Sequence, residues 1–216
     1  MFAYFVTDVD TSKPLLFDKI QKFLDFCPDA LSDGDKQKTW ASLGKSIDDL
    51  RKEFQLMKEL TANCGDLSCG FTHNDLNLEN VIFDKKEKKV SFIDYEYGGY
   101  NYLYFDIGNH FAEHAGVDEV DYTLYPDNSY IKQWLHIYFI EYARLRGDNF
   151  SMSDADIDRA CNLVNFFALW AHIFWGIWAL VQAEHSTVPF DYATYAKLRL
   201  GEYFDKKEKF TAFLKQ

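Results

Sequence analysis

The longest apolar stretch of the sequence, residues 163–181, constrains the fold most. It reads LVNFFALWAHIFWGIWALV, and Asn165 and His172 are its only clear polar interruptions. Nineteen such residues are long enough to cross a bilayer. However, acidic and polar residues flank the stretch, and no cationic cluster sets an orientation in a membrane. We therefore predict a buried core helix over about residues 154–184 and no membrane span.

The remaining pattern predicts a mostly α protein with one small β-hairpin. Pro14 starts a helix over 14–26, and the polar residues 29–37 are typical of turns. Apolar residues between 40 and 57 recur every three or four positions, which predicts one amphipathic helix there. Another predicted helix is closed by Gly116. Further helices are predicted at residues 129–146, 154–184 and 191–209.

Composition narrows the class of function. The 216 residues carry a net charge of -11 and no Lys/Arg stripe, which argues against a nucleic-acid partner. An acidic surface suits a small cationic substrate. The four cysteines lack zinc-site spacing and indicate reduced thiols in a cytoplasmic protein. The N-terminus has neither the basic region nor the apolar run of a signal peptide.

Small polar residues stand at both ends of the predicted hairpin. Asp75 and Asn80 precede the strand VIFD, and Asp94 ends the strand VSFID. A hairpin brings its ends together, so we expect the three side chains to converge. Asn and Asp oxygens suit Mg²⁺, and a free carboxylate can accept a hydroxyl proton during phosphate transfer. The spacing thus predicts a phosphotransferase loop with Asp75 as base and Asn80 and Asp94 as metal ligands; simple turn residues are the alternative.

Histidines and carboxylates near this loop have competing interpretations. His73 is expected to brace the loop backbone, and Asp106 to bind the loop's backbone amides. Asp106, His110 and Glu113 share one helical face, and Glu113 could meet a cationic substrate. His110, Glu113 and His114 also fit H-x-x-E-H, a pattern of zinc hydrolases, but no third ligand can be placed. Trp175 and Trp178 lie three apart on the long helix and suit either core packing or an ammonium group.

Three segments resemble the choline/ethanolamine kinases, and the resemblance extends over nearly the whole chain. They are HNDLNLEN (73–80), FIDYEYGGYNYLYFDIGNHFAEHAGV (92–117) and WGIWALVQAEHSTVPFDYATYAKLR (175–199). The resemblance implies the C-terminal lobe of the protein-kinase-like fold that aminoglycoside phosphotransferases and choline kinases share. In that single lobe, residues 1–70 are leading helices, 71–99 the catalytic loop and metal-binding hairpin, and 100–216 the helical substrate-binding part.

The resemblance also implies a role for each matching residue. Asp75 matches the catalytic aspartate, and Asn80 and Asp94 match the Mg²⁺ ligands. The residues that match the pocket for the substrate's ammonium group are Glu113, Trp175, Trp178 and Tyr195. The resemblance further implies ATP as the co-substrate and a phosphorylated amino alcohol, such as the phosphoethanolamine that enters phosphatidylethanolamine synthesis, as the product.

Residues 115–127, AGVDEVDYTLYPD, resemble the ethanolamine branch of the family, which implies ethanolamine as the substrate. Choline kinases tend to place an aromatic residue shortly after the glutamate, whereas this chain has Ala115, Gly116, Val117 and Asp118. A primary ammonium donates three hydrogen bonds and suits carboxylates, whereas a quaternary one suits aromatic walls. Choline is the alternative substrate.

The chain lacks the family's glycine-rich phosphate loop and its V-A-I-K-like strand. We therefore expect ATP to lose half of its clamp, and we expect a truncated isoform, an incomplete gene product or a fragment. An alternative of another class is a catalytically silent binding protein that has kept this lobe.

Overall fold

The computed structural model describes residues 10–147 and 152–215. Its helices are α1 (Leu16–Phe26), α2 (Gly34–Ala41), α3 (Ile47–Ala62), α4 (Leu103–Ala112), α5 (Asn128–Arg146), α6 (Asp154–His185) and α7 (Tyr192–Thr211). Its strands are β1 (Cys69–Thr72), β2 (Val81–Asp84), β3 (Lys89–Phe92) and β4 (Gly99–Tyr102). The helices predicted near 129–146, 154–184 and 191–209 are confirmed within a few residues.

Helix α6 is the centre of the core. Its first turn is fixed by a capping box, in which Ser153 and Asp156 each bind the other's backbone amide. Among the described helices, only α6 is long and apolar enough to cross a membrane by length and composition, and 89% of its apolar window is buried inside the protein. The prediction of a buried core helix at 163–181 is confirmed.

Glycines allow the neighbouring helices to approach α6 closely. A Cβ on Gly108 of α4 would lie 2.7 Å from the backbone nitrogen of Ala168 in α6. A Cβ on Gly176 of α6 would lie 2.6 Å from the Leu200 side chain of α7. These two contacts fix α4 and α7 against α6, so side chains on all three helices can meet at one site.

The single helix predicted between residues 40 and 57 is two helices, α2 and α3. Gly44 adopts a left-handed φ of 69°, and Ser46 then caps α3 through a capping box with Asp49. Apolar residues on both sides of the turn still pack inward: Trp40 and Phe54 are both buried. The prediction of turns at 29–37 was partly wrong, since α2 begins at Gly34.

The structure also contains two small antiparallel sheets where one hairpin was predicted. The predicted hairpin is present as β2 and β3, with Val81 opposite Phe92. The second sheet pairs β1 with β4, with Thr72 opposite Gly99. Strand β4 was not predicted from the sequence, because its partner strand is distant along the chain. This pairing clamps both ends of residues 73–98, the segment that carries the predicted catalytic loop.

Candidate active site

The loop that follows β1 turns sharply at Asn74, which has a φ of 66°. The Asn74 side chain is buried and fully used. Its Oδ1 accepts hydrogen bonds from Thr72 Oγ1 and Asn101 Nδ2, each at 2.8 Å, and its Nδ2 donates to the Tyr97 carbonyl at 2.9 Å. Asparagine tolerates this left-handed backbone. The turn therefore presents the next residue, Asp75, in a fixed direction.

The side chains of Asp106 and His73 hold the loop by hydrogen bonds to its backbone. Asp106 accepts the backbone N–H groups of His73 at 3.1 Å and Asn74 at 2.8 Å. The His73 ring bridges the loop to the end of β3: Nδ1 accepts the Asp75 N–H at 3.3 Å, and Nε2–H donates to the Ile93 carbonyl at 2.7 Å. Both residues act on backbone groups, as a support for the loop would.

Asp75 lies within reach of two asparagine amides. Asn80 Nδ2 donates to the Asp75 carbonyl at 2.9 Å and to its carboxylate Oδ2 at 3.3 Å. Asn77 Nδ2 donates to Oδ1 at 3.3 Å, while Asn77 Oδ1 caps the short 3₁₀ turn that leads into β2. Asp75 and Asn80 are thus brought together by local backbone structure.

Asp94 follows β3, at the base of the same hairpin. The Ile93 N–H donates to the Asn80 carbonyl at 3.1 Å, so the two ends of the hairpin meet as expected. Asp94 has a left-handed φ of 61° and an exposed side chain. Neither its carboxylate nor Asn80 Oδ1 has a hydrogen-bond partner among the described residues. Such free oxygens fit a hard cation like Mg²⁺, whose other positions water and phosphate can fill.

A cavity of about 310 Å³ opens beside Asp75, and six of the thirteen residues that line it are aromatic. Trp175 and Trp178 lie nearly perpendicular, with ring centroids 5.4 Å apart. Tyr97 packs on Trp175 at 5.0 Å and Tyr192 on Trp178 at 5.6 Å. The other side chains at the wall or mouth are Asn77, Glu96, Glu113, Val117, Asp118, Val188, Phe190 and Tyr195. Rings and carboxylates together favour a small organic cation.

The buried carboxylate in this wall is that of Glu113. It follows α4 in a short 3₁₀ turn and forms an ion pair with Arg199 of α7, with 2.6 Å between Oε1 and Nη1. Glu113 and Arg199 are both buried. Glu113 therefore lies in the cavity wall as predicted from the sequence, but with a partner that the sequence analysis did not assign.

The electrostatics of the cavity act on Asp75. Burial, with a smaller contribution from the nearby charges of Glu113 and Asp94, raises the pKa of the Asp75 carboxyl to about 7, against the opposing effect of the two asparagine amides. A carboxyl group that titrates near neutrality can exchange a proton with a bound hydroxyl.

The H-x-x-E-H pattern does not form a zinc site. His110 Nδ1 bonds the Leu76 carbonyl at 3.0 Å, and Glu113 is committed to Arg199. Among the described residues, no group of three or more His, Cys, Asp or Glu side chains is placed to hold a metal. Glu113 lines the cavity beside Asp75, whereas Asp106 and His110 line a second groove. The three residues predicted to share one helical face therefore line two different sites.

Sequence reasoning missed three residues that shape the cavity. Asn109 Oδ1 accepts the indole N–H of Trp175 at 2.8 Å and fixes that ring. Tyr97 follows the hairpin and packs on the same ring. Arg199 falls on the buried stripe of α7 with Ala196 and Leu200, where an apolar residue is expected. An arginine on such a stripe was the available signal, because a buried charge requires a partner.

Relatives of known identity cover most of this chain. Human ethanolamine kinase 1 is 42% identical over 200 residues, which are 93% of this chain and 44% of that protein. The ethanolamine kinase of Drosophila melanogaster is 46% identical over 197 residues, 91% of this chain and 37% of that protein. The chain thus spans about half the length of the curated relatives it matches.

Solved structures share the fold. An ethanolamine kinase of Plasmodium vivax superposes with a TM-score of 0.73 at 24% identity, over 91% of this chain and 50% of that one. A choline kinase of Cryptosporidium parvum gives 0.70 at 22% identity, over 96% and 60%. The predicted fold class is therefore confirmed, with two small sheets in place of one hairpin. A family model of choline/ethanolamine kinases matches residues 5–204, and the chain belongs to that family.

Proposed function

We propose that this chain carries the catalytic and amino-alcohol-binding part of an ethanolamine kinase, which transfers the γ-phosphate of ATP to the hydroxyl of ethanolamine. One observation carries the proposal: Asp75, with a pKa of about 7, lines the same cavity as Glu113, Trp175 and Trp178. A cation held by the wall would place a hydroxyl two carbons away near the carboxyl that can take its proton.

Each residue has a distinct part in this reaction. Trp175, Trp178 and Tyr195 surround the ammonium group, and Glu113 balances its charge. Asp75 orients the substrate hydroxyl and accepts its proton as the phosphoryl group is transferred. His73 and Asp106 keep the loop backbone in place through the hydrogen bonds described above. Positioning supplies most of the rate, because phosphoryl transfer requires little covalent chemistry from the protein.

Asn80 and Asp94 would hold the magnesium ion that accompanies ATP. Their free oxygens support this assignment, and the ion would supply neutralising charge for the phosphates. In this proposal, residues 1–216 form one lobe of a cytoplasmic protein with no nucleic-acid partner and no membrane span.

Ethanolamine is proposed over choline for two reasons. The relatives described above that match at more than 40% identity are named ethanolamine kinases. In addition, Glu113 and Asp118 give the cavity carboxylate oxygens that a primary ammonium can donate to, and a quaternary ammonium cannot. Choline remains the second substrate to test.

A coupled assay of ADP release tests the proposal. The purified chain is incubated with Mg²⁺, ATP and either ethanolamine or choline, beside the Asp75→Ala variant. We expect ADP release that depends on ethanolamine and is lost in the variant. Equal, background release by both proteins would contradict the kinase proposal. If ethanolamine still bound, that result would favour the silent binding protein.

A further inference from the structure

Arg199 is a buried cation directly behind the cavity wall. It is 1% exposed and reaches the wall from α7. Its Nη1 donates to Glu113 Oε1 at 2.6 Å and to the Tyr195 hydroxyl at 3.1 Å. The guanidinium also lies against the Tyr195 ring, 5.6 Å from its centroid. One guanidinium nitrogen therefore binds two side chains of the cavity wall.

This placement is not what stability alone would select. Arg199 Nε and Nη2 are buried and have no hydrogen-bond partner among the described residues. Burying unpaired donors is unfavourable, and a buried ion pair is often no more stable than apolar side chains of similar volume. The arrangement therefore indicates that Arg199 serves the cavity as well as the core.

The contact with Arg199 divides the two oxygens of Glu113. Oε1 is committed to the guanidinium, whereas Oε2 has no partner among the described residues, although Glu113 lines the cavity. A carboxylate is planar, so fixing Oε1 also fixes the direction of Oε2. The guanidinium also gives the carboxylate a counter-charge in a wall that is otherwise largely apolar.

We infer that Arg199 is a positioning residue for the amino alcohol, which turns Glu113 so that Oε2 accepts a hydrogen bond from a primary ammonium. The inference rests on the proposed function. It goes further by assigning part of the selectivity to a residue that does not touch the substrate. Ethanolamine should depend on Arg199 more than choline does, because a quaternary ammonium has no N–H to donate.

Direct binding tests this inference separately from turnover. The full chain is titrated with ethanolamine and with choline, and the fluorescence of the cavity tryptophans reports binding. The variants are Arg199→Met, Arg199→Lys, Glu113→Gln and the double variant Arg199→Met with Glu113→Gln. Thermal unfolding of each variant shows that it is folded. Arg199→Lys keeps the charge, so it provides the test should Arg199→Met fail to fold.

The ratio of the two dissociation constants is the decisive readout. Arg199→Met should weaken ethanolamine binding about 30-fold, as expected for a lost charge-assisted hydrogen bond, and choline binding only about 5-fold. Arg199→Lys should recover part of the loss. The double variant should bind ethanolamine no more weakly than Glu113→Gln alone.

Three results would overturn the inference. Equal weakening for both ligands would show a structural role, as would additive losses in the double variant. Unchanged binding in Arg199→Met and Arg199→Lys would show no role. If the unsubstituted chain bound neither ligand, the proposed function would fail, and this inference would fail with it.

Discussion

The aromatic cavity wall and the β2–β3 ribbon both meet at Asp75, but they are built differently. Trp175, Tyr195 and Glu113 in the wall are each about 5% exposed or less, and they belong to or contact the core helices α6 and α7. In the ribbon, Phe83 is 56% exposed and Val90 53%. The chain thus completes the proposed amine side of the site within its own core and leaves the proposed metal side on a sparsely packed ribbon.

The side chains of the two regions are held in place in different ways. In the wall, the rings pack on one another, and hydrogen bonds with Asn109 and Arg199 hold Trp175 and Glu113. The ribbon is held at its base through the bonds of Ile93 to Asn80 and His73. Substitutions in the wall should therefore change ligand binding, whereas those on the ribbon surface should change little in this chain.

The largest expected effect is on the residue that both regions share. Asp75→Asn should lower the phosphorylation rate about 1,000-fold, because a general base contributes roughly that factor. Ethanolamine binding should persist, since the wall is intact. Glu79→Gln, an exposed neighbour in the same loop, is the matched control and should retain the rate. A rate for Asp75→Asn within about tenfold of the unsubstituted chain would break the assignment of the base.

Because the pKa of Asp75 is raised, the Asp75→Asn variant should be more stable than the unsubstituted chain at high pH. The folded pKa of about 7 lies above the ordinary value, so ionising Asp75 costs the folded state. The penalty is absent below about pH 4, grows as the pH rises from 4 to 7, and is complete above 7. Asp75→Asn should therefore stabilise the fold at pH 8 by about 1–2 kcal/mol, after a discount for solvent in the open cavity, and hardly at all at pH 4.

Thermal unfolding at several pH values measures this gain. A gain of about 1 kcal/mol raises the Tm of a chain this size by roughly 2–4 °C. A difference in Tm between variant and unsubstituted chain that does not change from pH 4 to pH 8 would contradict a desolvated carboxyl at this position.

A pair of tryptophans sharpens the comparison of regions. Trp178 lines the cavity, and Trp134 lines the second groove beside the ribbon; both are half-buried. Trp178→Leu should weaken ethanolamine binding about 5- to 10-fold, the value of one cation–π contact. Trp134→Leu should leave binding unchanged. Similar losses in both variants would mean that the cavity does not select the cation, and titration calorimetry gives the two constants.

The smallest effect is expected on the ribbon surface. Phe83→Ser should change the free energy of unfolding by no more than about 0.5 kcal/mol, because the ring is largely exposed. Chemical denaturation measures this directly. A loss above about 2 kcal/mol, typical of a buried side chain, would show that the ribbon is packed and that the contrast with the wall is wrong.

Local patterns in the sequence predicted much of this structure. The apolar stretch 163–181 predicted the core helix, and residues 81–94 predicted the hairpin, because periodicity and turn residues act over a few positions. Trp175 and Trp178 were placed side by side by their spacing of three. The nearness of Asp75 and Asn80 follows from the same short range. Their chemical roles, and that of Asp94, remain predictions.

Distant pairs were out of reach of such patterns. The β1–β4 sheet joins two four-residue strands, Thr72 and Gly99 being paired across the whole loop and hairpin. Arg199 and Glu113 are 86 residues apart. Neither partner announces the other in sequence, because the contact exists only once α4 and α7 have packed against α6. The break between α2 and α3 was local, yet the continuous apolar stripe concealed it.

The most direct test of the central claim is a crystal structure of this chain with ethanolamine bound. We expect the ammonium group between Trp175, Trp178 and Glu113, with the hydroxyl oxygen about 3 Å from the Asp75 carboxylate. Ethanolamine bound with its hydroxyl turned away from Asp75, or in the second groove by Trp134, would contradict it.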